Sequence, residues 1–148
     1  MDVTFVFCDP AHPDAQVLIN RLSLVLSKLT GDSGASSFNS FDVREAGSVF
    51  RVGYNGSNPI ACGAIRRLSG NVAELKRMYA EHGTGALLLN DLQNHAVEMG
   101  YGKLWLSTRT DNEKAVGFYL RNGFKKIDNY GKYMGRSNSV CFEKNIWL

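Results

Sequence analysis

The chain has 148 residues, of which 44% are hydrophobic and 21% charged, and it carries only 3 prolines. Those values exclude a disordered chain and a proline-rich linker protein, and they suit one globular domain, spanning 1–148, with its own core. The net charge of +3 is uneven, with residues 1–50 net acidic and residues 121–148 net basic; this is too thin a Lys/Arg stripe for a nucleic-acid partner, and it suits an anionic small ligand.

Val3–Phe7 is β-branched and aromatic and reads as a strand. His12-Pro13-Asp14 is turn chemistry with a helix cap expected at Asp14. Leu18, Leu22, Val25, Leu26 and Leu29 then recur at helical spacing, which predicts a helix over Ala15–Leu29 with Gly31 as its stop. Residues 31–41 are small and polar; they read as a surface loop or a lid. Three strands follow, Val49–Tyr54, Ile60–Arg67 and Val72–Ala80, joined by turns at Asn55-Gly56 and Ser69-Gly70-Asn71 into an antiparallel meander. The period then changes. Leu88, Leu92, Ala96 and Met99 mark a second helix ended by Gly100. Lys103–Ser107 is a strand, and Asn112–Asn122 is a short helix closed by Gly123. Phe124–Ile127 and Val140–Trp147 are the last strands. The expected class is α/β (α+β), with a mixed, largely antiparallel central sheet flanked by helices.

The segment from Val72 to Phe124 carries the chemistry. A strand runs into Gly83-Thr84-Gly85-Ala86 at a helix start. First-turn amides have no intrahelical acceptor, and the helix dipole adds partial positive charge there. Glycine lets the backbone approach an anion closely. The same pattern also serves a plain tight turn before a core helix. It is neither a Walker motif nor the dinucleotide fingerprint, because no Lys-Ser/Thr follows and Leu88 stands at the third glycine position.

Asn112-x-x-Ala115-x-x-x-Tyr119-x-x-x-Gly123-Phe124 resembles the closing motif of the GNAT superfamily of acyl-CoA-dependent N-acetyltransferases. Ala73–Ala80 looks like that family's central strand, and the glycine turn is similar to its pyrophosphate loop. Tyr130-Gly131-x-Tyr133 and Ser139–Lys144 look like the tail of its bacterial members. The resemblance implies acetyl transfer from acetyl-CoA to a primary amine by direct attack, with no metal. It implies a small-molecule amine, or a protein or peptide amine, as acceptor. The cofactor would lie against the backbone of Met78, Tyr79 and Ala80, against Gly83, Thr84, Gly85 and Ala86, and against Asn112 and Tyr119. Tyr119 would be the general acid for the thiolate leaving group.

An ammonium of pKa ~10.4 must lose a proton before it attacks, so a carboxylate base is useful. Glu74 is that base by resemblance, or else a sheet glutamate paired with a neighbouring Lys or Arg. Asn112 is likewise a cofactor contact or an ordinary helix-start residue. One departure stands out. Only Glu81 and His82 separate Ala80 from Gly83, a connector several residues shorter than the family's, and Ala80 falls where the family has Arg or Gln.

The remaining candidates have bland readings. Cys8, Cys62 and Cys141 form no CxxC pair and read as core or sheet residues. His95 reads as structural and His82 as solvated. Arg66-Arg67 and Lys125-Lys126 read as solvated faces. No leader at Met1-Asp2-Val3 and no long apolar run lead to the expectation of a reduced, cytoplasmic protein with no membrane contact. Phe38–Glu45, Tyr130 and Tyr133, with a second subunit of a homodimer as a further candidate, are expected to shape the acceptor site. A non-catalytic acyl-CoA sensor on the same fold and a nucleic-acid-binding module are the alternatives.

Overall fold

Alternating burial builds the sheet. In the computed structural model, which describes residues 2–33 and 45–147, the elements are β1 (Thr4–Phe7), α1 (Pro13–Thr30), β2 (Val49–Asn55), β3 (Asn58–Ser69), β4 (Val72–Ala80), α2 (Gly85–Glu98), β5 (Lys103–Arg109), α3 (Glu113–Arg121), β6 (Lys125–Ile127) and β7 (Ser139–Asn145). A 3-10 turn over Gly131–Tyr133 precedes β7. The lid reading of residues 31–41 and the acceptor-shaping stretch Phe38–Glu45 lie largely outside the described residues.

The strands form one sheet in the order β1-β2-β3-β4-β5-β7-β6. All neighbours pair antiparallel except β4 and β5. The expected mixed, largely antiparallel sheet flanked by helices is what the chain forms. Among the described residues no helix is long and apolar enough to cross a membrane.

Each face of the sheet buries its own helices. Ala73, Leu75, Leu104, Leu106 and Phe142 pack with Leu88, Leu92 and Ala96 of α2. On the other face Cys62, Ala64, Phe50 and Val52 pack with Ala15, Leu18 and Ile19 of α1. At Gly63 α2 approaches closely: a Cβ there would sit 2.7 Å from Leu92 Cδ1 and would force that side chain to shift. Helix α1 begins two residues earlier than a cap at Asp14 would set it. His12 is the cap, its Nδ1 accepting the Asp14 amide at 3.1 Å, and Pro13 opens the first turn. Proline there has no amide to leave unpaired. Asp14 instead takes the Tyr54 hydroxyl at 2.6 Å.

Leu104 is fully buried, whereas Leu24 on α1 is 63% exposed. Leu104→Ala should therefore cost about 2–5 kcal/mol in denaturant unfolding, and Leu24→Ala within about 0.5 kcal/mol. Equal losses at the two sites would contradict the assignment of the core.

Candidate active site

The central irregularity lies in β4. Between Cys62 and Ala64 of β3 the register against β4 slips: Cys62 faces Tyr79 and Ala64 faces Lys76. One extra residue is thus accommodated in β4, a β-bulge, and such bulges bend and twist a strand. Arg77 sits in it with φ 52°, a left-handed conformation rare for a residue with a Cβ. Its side chain is anchored to α1 and to the residues that follow it: Nη1 donates to the Ser33 carbonyl at 3.1 Å and Nη2 to Ser23 Oγ at 3.2 Å. Burial lowers the pKa of this guanidinium.

On the other edge of β4 the pairing with β5 stops early. Only Val72↔Lys103, Ala73↔Leu104 and Glu74↔Trp105 are in parallel register. Beyond them β4 runs on to Ala80 and β5 to Arg109, unpaired with each other. The gap between the separated strands is a cleft lined by Met78, Leu106, Thr108, Asn112, Tyr119 and Tyr133, among others. Strand edges that face each other without pairing can accept an extended ligand as an added strand.

Tyr119 reaches this cleft from α3. Its ring stands edge-on to Phe118 and Phe124, with centroids 5.3 and 5.4 Å away. Its hydroxyl lies 3.6 Å from Met78 Sδ. Burial raises its pKa beyond the ordinary phenol range, so it stays protonated at neutral pH. Asn112 caps α3, its Oδ1 accepting the Ala115 amide at 3.3 Å, and it also lines the cleft. Both readings of Asn112 are thus compatible with its position.

At the far end of β4 a tight turn leads into α2. His82 and Gly83 both have positive φ, 57° and 72°. Thr84 precedes α2, but its hydroxyl turns back to donate to the Glu81 carbonyl at 2.7 Å and caps nothing. The first-turn amides of α2, Gly85 onward, therefore have no side-chain cap, and no acidic residue lies in that turn. Gly85 packs against α3, since a Cβ on it would stand 3.0 Å from Phe118 Cε1. Tyr79 points away from the cleft and donates to Glu81 Oε2 at 2.6 Å, while Arg21 forms a salt bridge to the same carboxylate at 3.1 Å. Ala80 pairs with Ala61.

Glu74 and Lys76 point to the α1 face of the sheet, opposite Ala73 and Leu75. Glu74 is only 1% exposed, and both its oxygens are engaged. Oε1 accepts from Arg66 Nε at 2.7 Å and lies 3.7 Å from Lys76 Nζ; Oε2 accepts from the Tyr130 hydroxyl. Lys76 Nζ in turn donates to the Tyr133 hydroxyl at 2.9 Å. A carboxylate this deep is stable only with such partners. Arg66 is therefore not the solvated residue expected from its Arg-Arg context: half-buried, it neutralises Glu74. Arg67 is exposed as expected. Pairing of Glu74 with a neighbouring Lys or Arg was one of its two expected readings; that Arg66 and Lys76 are the partners was not foreseen, although Glu74 and Lys76 share one strand face at i and i+2. Asn129 was missed as well. Its Nδ2 donates to the carbonyls of Tyr133, Arg136 and Ser139 and fixes the segment that presents Tyr130 and Tyr133. Among the described residues, no group of three or more His, Cys, Asp or Glu side chains is placed to hold a metal.

The chain belongs to the GNAT acetyltransferase family, whose model matches residues 22–124. Solved structures share the fold over nearly the whole chain. A putative acyl-CoA N-acyltransferase from Klebsiella pneumoniae is 22% identical, with 98% of each chain covered and a TM-score of 0.81. The PaiA N-acetyltransferase from Thermoplasma acidophilum, solved with coenzyme A, is 18% identical, covering 98% of this chain and 99% of its own, with a TM-score of 0.73. An aminoglycoside 6'-acetyltransferase type Ii is 19% identical, with 98% of each chain covered and a TM-score of 0.69.

Several phenols in and around the site are harder to ionise than free tyrosine. Desolvation and Glu81 push Tyr79 up to about 12, and the Asp14 hydrogen bond with burial takes Tyr54 to about 12. Burial and the Glu74 charge raise Tyr130 as well. A folded-state pKa above the unfolded value of ~10 adds stability that is whole below pH ~10 and is lost as pH rises from there. Thermal midpoints should thus hold to pH ~9.5 and fall between pH ~10 and ~12, with phenolate absorbance appearing as the fold is lost. Phenolate of Tyr54 or Tyr79 appearing at the ordinary midpoint with the fold intact would contradict these environments.

Proposed function

We propose that the chain transfers the acetyl group of acetyl-CoA to a primary amine by direct attack. The observation that carries this reading is the opened β4–β5 pairing with the Tyr119 hydroxyl inside the gap. The cleft suits the cofactor's shape. A long amide-bearing arm matches the unpaired strand edge at Met78, Tyr79 and Ala80, and a phosphate end matches the uncapped amides after Gly83 and Thr84, at Gly85 and Ala86. Bound acetyl-CoA supplies an activated acyl group.

The protein's part is orientation and proton handling. A backbone amide of β4 polarises the acyl carbonyl. Asn112 orders the start of α3 and so aims Tyr119. As the new N–C bond forms and the C–S bond breaks, Tyr119 gives its proton to the departing sulfur and recovers one from solvent. The amine loses a proton on the opposite, α1-facing side. Glu74 meets that proton only through the Tyr130 hydroxyl, because its other contacts are to Arg66 and Lys76. Those contacts lend weight to the ion-paired reading of Glu74, and the base reading has this one route left.

Acetyl-CoA at a hundredfold excess over its Kd should stabilise the protein by about 2.7 kcal/mol, raising Tm by ~5–10 °C. Tyr119→Phe should lower kcat at least ~10-fold in a thiol-release assay over an amine panel, with cofactor affinity little changed. No thermal shift at millimolar acetyl-CoA would overturn the reading. A shift without turnover of any amine would favour the acyl-CoA sensor, for which the short connector before Gly83 is the motive.

Glu74→Gln should lose rate mainly at low pH if Glu74 takes the proton. A mutant-to-wild-type ratio that is flat from pH 6 to 9 would leave Glu74 as an ion-paired anchor of Tyr130.

A further inference from the structure

On the acceptor side of the cleft, positive side chains cluster around one ring. Tyr133 is 8% exposed and lines the cleft together with Tyr119 and Met78. Three cations surround its ring: Lys76 Nζ at 5.5 Å, Lys132 Nζ at 5.6 Å and the Arg136 guanidinium carbon at 6.0 Å from the centroid. Lys76 is buried and faces Glu74, which is shared with Arg66. Lys132 and Arg136 are exposed, and among the described residues neither pairs with a carboxylate. Among the described residues, Glu74 is taken up by Arg66 and Lys76, and Asp128 is the one acid in the segment from Lys125 to Arg136.

The platform is held in place rather than loose. Asn129 Nδ2 ties the carbonyls of Tyr133, Arg136 and Ser139 together at 3.0–3.1 Å. The Arg136 amide donates back to the Tyr133 carbonyl at 3.1 Å. Two solvent-facing cations on a fixed loop beside a cleft favour an anion at its mouth, and low-dielectric walls strengthen that field.

We propose that the acceptor is an amine that also carries an anionic group, a carboxylate or a phosphate, seated against Lys132 and Arg136 at the Tyr133 rim. This rests on the acetyltransferase reading and deepens it. The amine would enter the cleft toward Tyr119 while the anion stays at the rim. Lys132 and Arg136 then act as specificity determinants, and Asn129 as the residue that positions them.

The test uses matched amines. Glycine, β-alanine, 4-aminobutyrate and 6-aminohexanoate are each compared with their primary carboxamides, and O-phosphoethanolamine with ethanolamine. At least one anionic member should exceed its neutral partner in kcat/KM by about tenfold or more. The spacing that wins reports the distance from rim to reaction centre. The winning arm, carboxylate or phosphate, identifies the anion. The α-amine of glycinamide is less basic than that of glycine, so that bias runs against the expected result. In the Lys132→Glu/Arg136→Glu double variant the preference should vanish or invert, with acetyl-CoA stabilisation used to verify that the variant is folded.

Acetylation of neutral partners as fast as or faster than every anionic member would overturn the inference and leave the acetyltransferase reading standing. Acetyl-CoA binding with no turnover or binding of any pair would overturn both the inference and the enzyme assignment. A preference unchanged in the double variant would overturn the assignment to this rim.

Discussion

Parallel pairing between β4 and β5 lasts for three residue pairs and then fails, and the rest of the site depends on that failure. A fully paired sheet would place every backbone amide and carbonyl of Leu75–Ala80 in a ladder, and no ligand could lie along the strand. The bulge at Arg77 is the local cause. One extra residue bends β4 away, and the guanidinium of Arg77, bound to Ser23 and Ser33, holds the bend against α1. The left-handed φ at Arg77 costs of order 1–3 kcal/mol, and it persists because the surroundings over-determine it.

The two faces of β4 then divide the work. Ala73 and Leu75 bury against α2 and α3, the side from which Tyr119 and the α2 amides approach. Glu74 and Lys76 face α1 and meet Arg66, Tyr130 and Tyr133. On the proposed reading, cofactor and acceptor arrive from these two sides and meet in the gap. Close approach of Gly85 to Phe118 packs the start of α2 against the helix that carries Tyr119, so on the proposed reading the phosphate-binding amides and the acid sit on neighbouring elements.

Strand and helix positions were largely legible. Leu18, Leu88 and Leu104 announce their faces by period alone, and the glycines at 31, 56 and 70 adopt the positive φ their turn positions require. Cap identity was less so: Asp14 was the expected cap, but Pro13 opens the helix and leaves His12 as the cap. The bulge was illegible: nothing in Lys76-Arg77-Met78 distinguishes an irregular strand from a regular one, since the extra residue is defined by pairing with β3. Arg66 was misread for a related reason. Adjacent arginines resemble a solvated face until pairing sets Arg66 opposite Glu74. Long-range partners such as Tyr130 for Glu74, 56 residues apart, lie beyond any local pattern.

The central claim is that the gap between β4 and β5 receives a ligand strand. Amide hydrogen exchange with and without coenzyme A tests it most directly, residue by residue. The account predicts slowed exchange at amides in Leu75–Ala80 and in the first turn of α2, from Gly85. Bound coenzyme A that leaves the β4 amides unchanged, with protection confined to other strands, would contradict it.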